Sequence, residues 1–159
     1  MSCHFHIHQN GGGLVSDTAR VHDTAYVGKY CVVYDNAKVL DNAKLEDYVR
    51  VFGEATISGN AVVSGDAKIG DCARVTGNAK VGMHANVSGN ATITDDANIS
   101  GRAIVRGDAT VSGNAAVFGT SRVSGNAVVS GTTLVTGEAV IVEGDYCEGL
   151  HSKRLSHPH

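Results

Sequence analysis

The stretch VSGNAVVSGT, residues 123–132, recurs with small changes along most of the chain. ISGNAVVSGDAKIG stands at 57–70, VSGNATITDDANIS at 87–100 and VSGNAAVFGT at 111–120. Stepping by six from Val21 to Ile141 lands on 21 positions, and every one is Val, Ile or Leu. Two residues before each sits a second repeated position. It is Ala in 17 of the 21 cases, with Cys31, Val49, Ser121 and Thr133 as the exceptions. Two residues after each aliphatic comes Gly in 12 cases and Asp in 6, and the next residue is often Asn or Asp. No insertion or deletion breaks the register between 18 and 143.

A period of six excludes an α-helix, which cannot keep every sixth residue on one face. Within each hexad the triplet centred on the aliphatic alternates out, in, out, as a short strand does. The Gly-Asn or Gly-Asp pair then supplies a bend, because these residues tolerate left-handed dihedrals. Three bends close a triangle, so one coil takes three hexads, and the 21 hexads make about seven triangular 18-residue coils. Coils stacked by parallel ladder bonds at about 4.8 Å give a prism roughly 34 Å tall. The expected fold is all-β, a parallel β-helix over 18–143 without loop insertions. Residues 1–17 form a His-rich arm or cap, and residues 144–159 a second cap and tail. Such caps are expected at the ends, where open ladders invite association.

Composition agrees. The 159 residues include 20 Gly, 1 Pro and no Trp, and only 8 aromatics, so the core must be built from Val and Ala. The formal charge of −3 gives no polybasic character, which argues against a nucleic-acid partner. No apolar run approaches the roughly 18 residues that cross a bilayer, so no membrane partner is expected. MSCHFHIHQN lacks the regions of a secretory leader, and the expected compartment is the cytoplasm. Cys3, Cys31, Cys72 and Cys147 show no CxxC pair and read as reduced thiols, with Cys31 a small buried hydrophobe.

An aliphatic at one position, a small residue two before it and a strict period of six resemble the hexapeptide repeat of the left-handed parallel β-helix superfamily, which includes acyl- and nucleotidyltransferases. The SGNA flavour is most similar to the YdcK-like branch. The resemblance implies a left-handed coil, against the usual right-handed crossover rule. It also implies association of three prisms into a homotrimer.

With a stacking period of 18, the outward ladders can be written down. The wall built on Val21, Val39 and Ile57 carries Thr56/Ser58, Arg74/Thr76, Thr92/Thr94 and Thr110/Ser112, residue types that suit exposed strands. Two corners hold mostly turn residues, Asn42, Asn60 and Asn78 on one and Asn36, Glu54, Cys72 and Asn90 on the other. The remaining corner departs from turn chemistry and reads Tyr30, Tyr48, Asp66, His84, Arg102, Thr120, Glu138. Its adjoining wall adds Arg50, Lys68, Asn86, Arg106 and Arg122 above Val32, Tyr34 and Phe52. This face has three readings: a solvated, charge-balanced edge, an interface with another subunit or protein, or a site for an anion that arginine would grip bidentately.

His84 is the one mid-prism histidine. In acyltransferases of the resembled superfamily a histidine is the general base acting on an acyl-CoA, which would make acetyl-CoA the cofactor here. Against that role, His84 occupies a bend, the repeat has no loop to close over a pantetheine arm, and no second acid stands out to orient the ring. The zinc-hydratase variant needs three histidine ligands, and the repeat holds only His22 and His84. In CHFHIH, His4, His6 and His8 alternate with Phe5 and Ile7, so an extended strand puts the imidazoles on one face. Such a face suits a transition metal, particularly where three chains meet on an axis, or else it is an end-cap strand.

The expected function is a non-catalytic structural or binding module, bacterial or phage-like and trimeric, acting through flat walls. The alternatives are an acyltransferase with His84 as base, and metal binding by the N-terminal histidines.

Overall fold

The structure is a computed structural model that describes residues 4–152. Among the described residues there are strands and turns and no helix, hence none long and apolar enough to cross a membrane. Two-residue strands recur every six residues from Arg20–Val21 to Val140–Ile141. Each pairs in parallel with the strand one coil on: Val62 faces Lys80 and Val63 faces Val81. Lys80 faces Asn98 in turn.

Three sheets result. Wall one runs through Val21, Val39 and Ile57, wall two through Val27, Leu45 and Val63, and wall three through Val15, Val33 and Val51. Corner one joins walls one and two, corner two joins walls two and three, and corner three joins walls three and one. The molecule is a parallel β-helix.

Each wall holds eight parallel strands, so the stack makes about eight turns, one more than the hexads count. The extra turn is assembled from both ends. Leu14–Ser16 starts wall three below the first hexad, while Asp145–Tyr146 and Leu150–His151 finish walls one and two. A further strand, β1 (Phe5–Ile7), pairs antiparallel with β2 (Leu14–Ser16) and covers the bottom edge of wall three.

The interior is what the repeat demands. Of the 21 aliphatics, all but Val21 are fully buried, and Val21 sits partly open at the base. The small positions are buried too, apart from the partly open Ala19 at the base, and the exceptions Cys31, Val49, Ser121 and Thr133 fit in the same row. The Ser121 hydroxyl donates to the Phe118 carbonyl at 2.7 Å, which removes the cost of burying it. Cys31, Cys72 and Cys147 are unpaired, and burial pushes the Cys31 thiol pKa above its ordinary value.

The bends decide which residues corners accept. At Gly59, φ is 67° and an added Cβ would stand 2.9 Å from the Gly77 carbonyl oxygen of the next coil. Aspartate takes this left-handed position at 35, 41, 47, 71 and 95. In all five cases its carboxylate accepts the backbone N–H of the glycine one coil above, as from Gly53 to Asp35 and from Gly89 to Asp71 at 3.0 Å. Each bond satisfies a donor the ladder does not use, which offsets the strain of a side chain at positive φ. Amide ladders also form, Asn78 to Asp96 at 3.2 Å and Asn90 to Asp108 at 3.0 Å.

Candidate functional site

Inward positions are fixed by packing, so chemistry must sit on outward ones. Wall three differs most from a neutral strand surface. Arg50, Lys68, Arg106 and Arg122 point outward on it, Asn86 fills the rung between, and none of its outward positions from Leu14 to Val142 is acidic. The strand register places Arg50, Lys68 and Asn86 in one ladder. Among the described residues the ion pairs within 4.0 Å are His6 with Asp17 and His84 with Asp66, so none of these four cations has a carboxylate partner.

Below the cations the wall turns apolar. Tyr34 and Phe52 stack with ring centroids 5.4 Å apart at 17°. Phe52 lies over Gly70, where a Cβ would come within 2.3 Å of the ring, so glycine at 70 is what lets the ring lie flat. Leu14 and Val32 continue the face, and β1 adds Phe5 and Ile7, which pair with Ser16 and Leu14 and are both exposed. Sequence reasoning found Val32, Tyr34 and Phe52 but not Phe5 and Ile7. Their alternation with the histidines marked a strand face without saying which wall it would extend. At the neighbouring corner, Tyr30 and Tyr48 stack at 5.3 Å, with the Lys29 ammonium 5.6 Å from the Tyr30 centroid.

Corner two brings Asp66, His84 and Arg102 onto successive turns. The His84 Nδ1 lies 3.4 Å from the carboxylate of Asp66, the acid that the 18-residue period places one turn below it. About half of each side chain remains in solvent. Met83, next to His84, holds φ at 57° with neither the freedom of glycine nor the capping bond of aspartate. That local strain costs on the order of 1 kcal/mol and singles out this bend among the interior ones. Chemically, His84 is an exposed imidazole beside a carboxylate, on a rigid edge.

The N-terminal histidines sit under the stack. His8 is buried with a ring nitrogen 2.8 Å from the Ala25 carbonyl, and His6 Nδ1 lies 2.8 Å from Asp17. Among the described residues no three His, Cys, Asp or Glu side chains gather as metal ligands. Cys3 and the tail beyond Ser152 lie outside the described residues.

A groove of about 470 Å³ runs beside corner three, lined by Asn36, Lys38, Glu54, Thr56, Cys72 and Arg74. Sequence reading took this corner as mostly turn residues; the signal it passed over was the replacement of Asn by Glu54 and Cys72 beside two cations. Desolvation, and then the Glu54 carboxylate, raise the Cys72 thiol pKa above its ordinary value, with Arg74 opposing. No family model matches the chain, and no curated protein or solved structure matches it either.

Proposed function

We propose that this chain is a non-catalytic structural or binding module, kin to the left-handed hexapeptide-repeat β-helices, that works through its flat walls as a homotrimer. The observation that carries this reading is wall three. A rigid face presents four cations and no carboxylate above an apolar base that leaves Phe5, Ile7 and Leu14 exposed, and unpaired charge beside exposed apolar side chains suits a face that meets a partner. The repeat explains why a module of this kind would be a rod. Every hexad is committed to a strand or a bend, and none is left to form a lid.

Two measurements test the reading. Sedimentation should give three times the 16.4 kDa chain mass. Titration with millimolar acetyl-CoA should give no binding and no acetyl transfer; binding or turnover would overturn the non-catalytic assignment. A monomer would overturn the assembly.

A second reading is favoured by the Asp66–His84 contact beside the strained Met83: an acyltransferase in which His84 is the base and Asp66 orients it. On that reading His84→Ala retains acetyl-CoA binding and loses turnover. Metal binding by His4, His6 and His8 calls for rings from several chains, and elemental analysis of chelator-free protein decides it.

A further inference from the structure

We infer that the occupant of wall three is corner three of a second copy of this chain. The inference rests on the reading of wall three as the working surface and names what docks there.

The charges of the molecule are segregated. Wall three is cationic without an acid. Corner three, from 17 to 144, carries Asp17, Asp35, Glu54, Asp71, Asp108 and Glu143, with Lys38 and Arg74 of wall one flanking its lower half. The two faces also match in height. Arg50 and Glu54 belong to the same turn, as do Lys68 and Asp71, and Arg106 and Asp108. The turn between them is neutral on both faces, with Asn86 on the wall and Asn90 on the corner. None of these cations reaches a carboxylate of its own chain within 4.0 Å among the described residues.

At the apolar base the corner carries Asp17 and Asp35, but their carboxylates are already held, by His6 at 2.8 Å and by the N–H of Gly53 at 3.0 Å. Asp71 gives one oxygen to Gly89 and keeps the other. Asp108 likewise gives one oxygen to the Asn90 amide at 3.0 Å and Glu54 one to the Cys72 thiol at 3.7 Å, so each of the three matching carboxylates keeps one oxygen for an outward partner.

Three arrangements of two copies can be compared. Wall three against wall three sets four cations against four, a like-charge juxtaposition that costs several kcal/mol. Corner three against corner three fails in the same way with acids. Wall three against corner three, with both rods pointing the same way, opposes cation and acid at three turns and neutral to neutral at a fourth, and sets Arg122 opposite the neutral Gly125 and Asn126. Such a contact is heterologous: each copy still offers a free wall or a free edge, so the contact repeats until a ring closes.

The test uses the full chain and two double charge reversals, Arg50→Glu with Lys68→Glu on the wall, and Glu54→Lys with Asp108→Lys on the corner. Each variant alone should weaken association roughly 100-fold or more, with unchanged far-ultraviolet circular dichroism and melting temperature. A one-to-one mixture should regain at least the mass of a pair, because wall and corner are then complementary between variants. Raising salt from 50 to 500 mM should weaken wild-type association.

Folded variants that both keep the wild-type mass, or a mixture that stays monomeric, overturn the docking and leave the trimeric module standing. A monomeric wild type overturns both. Binding of dextran sulfate to a monomeric wild type, abolished by the wall variant, would assign wall three to an anionic polymer and also overturn the inference.

Discussion

The two ends of the stack are closed by different means. At the base, chain from outside the repeat turns back under it. β1 pairs with the open edge of β2, and the Gly13 N–H and Asn10 carbonyl bond the backbone of Val27 at 3.0 Å each. His8, only 5% exposed, sits under the core against the Ala25 carbonyl, and the Asn10 amide donates to the same oxygen at 3.1 Å. At the top the repeat tightens. Val129 pairs with Tyr146, 17 residues on, and Val135 with His151, 16 on, where every lower rung steps by 18. The rings of Tyr146 and His151 meet edge to face at 4.9 Å in the inward places, while Val142 and Leu150 are left exposed. Both ends carry ladder bonds, at the top from the Val128 N–H to the Gly144 carbonyl and from the Thr136 N–H to the His151 carbonyl at 2.8 Å each. What differs is the plug, side-chain hydrogen bonds of His8 and Asn10 at the base and two packed rings at the top. Ladder amides at the top should therefore open first, with local free energies well below the global value.

The largest expected effect comes from removing residues 1–13. That strips β1 from wall three, uncovers Val15 and Val27, and leaves the Ala25 carbonyl without His8 or Asn10. The loss should be on the order of 5 kcal/mol, read from urea unfolding, with concentration-dependent association through the bared edge. A truncated chain of undiminished stability would show that the base cap contributes nothing. Next in size is a pair of cavities. Ile69→Ala lies mid-stack and should cost about 4 kcal/mol; Ile141→Ala, in the last complete rung, should cost about half that, because the looser top collapses around the gap. Equal losses would remove the distinction between a tight body and a soft upper end.

These contrasts also mark what could be read from the sequence. Each rung repeats one environment, so a single rule, aliphatic in, small residue two before, Gly or Asp at the bend, places all 21 hexads. The same rule puts Arg50, Lys68 and Asn86 on one ladder and His84 above Asp66. The extra turn was half legible: Val15 keeps the six-residue step from Val21, but Gly13 replaces the expected Ala and hides it. The top was not, because its spacing falls from six to five between Ile141, Tyr146 and His151, and a period of six passes over it. The return of β1 depends on a contact between His8 and Ala25, 17 residues apart, and no local pattern encodes that. Nor does the repeat report that Asp66 comes within 3.4 Å of His84, since that distance depends on side-chain rotamers at an exposed corner.

The smallest effect is also the sharpest comparison, because it places the same substitution at both ends. His8→Phe at the base removes the ring nitrogen that meets the Ala25 carbonyl, and should cost about 2 kcal/mol. His151→Phe at the top should do the reverse. The Nε2 of His151 is buried and has no hydrogen-bond partner among the described residues, so its desolvation is uncompensated. A phenyl ring keeps the edge-to-face contact with Tyr146 and discards the orphaned nitrogen. The expected result is a gain of roughly 0.5–1 kcal/mol, a rise of a few degrees in the melting temperature. Opposite signs at the two ends would establish that one is plugged by side-chain hydrogen bonds and the other by packing. A loss at His151 as large as that at His8 would mean that the top, too, depends on a polar partner.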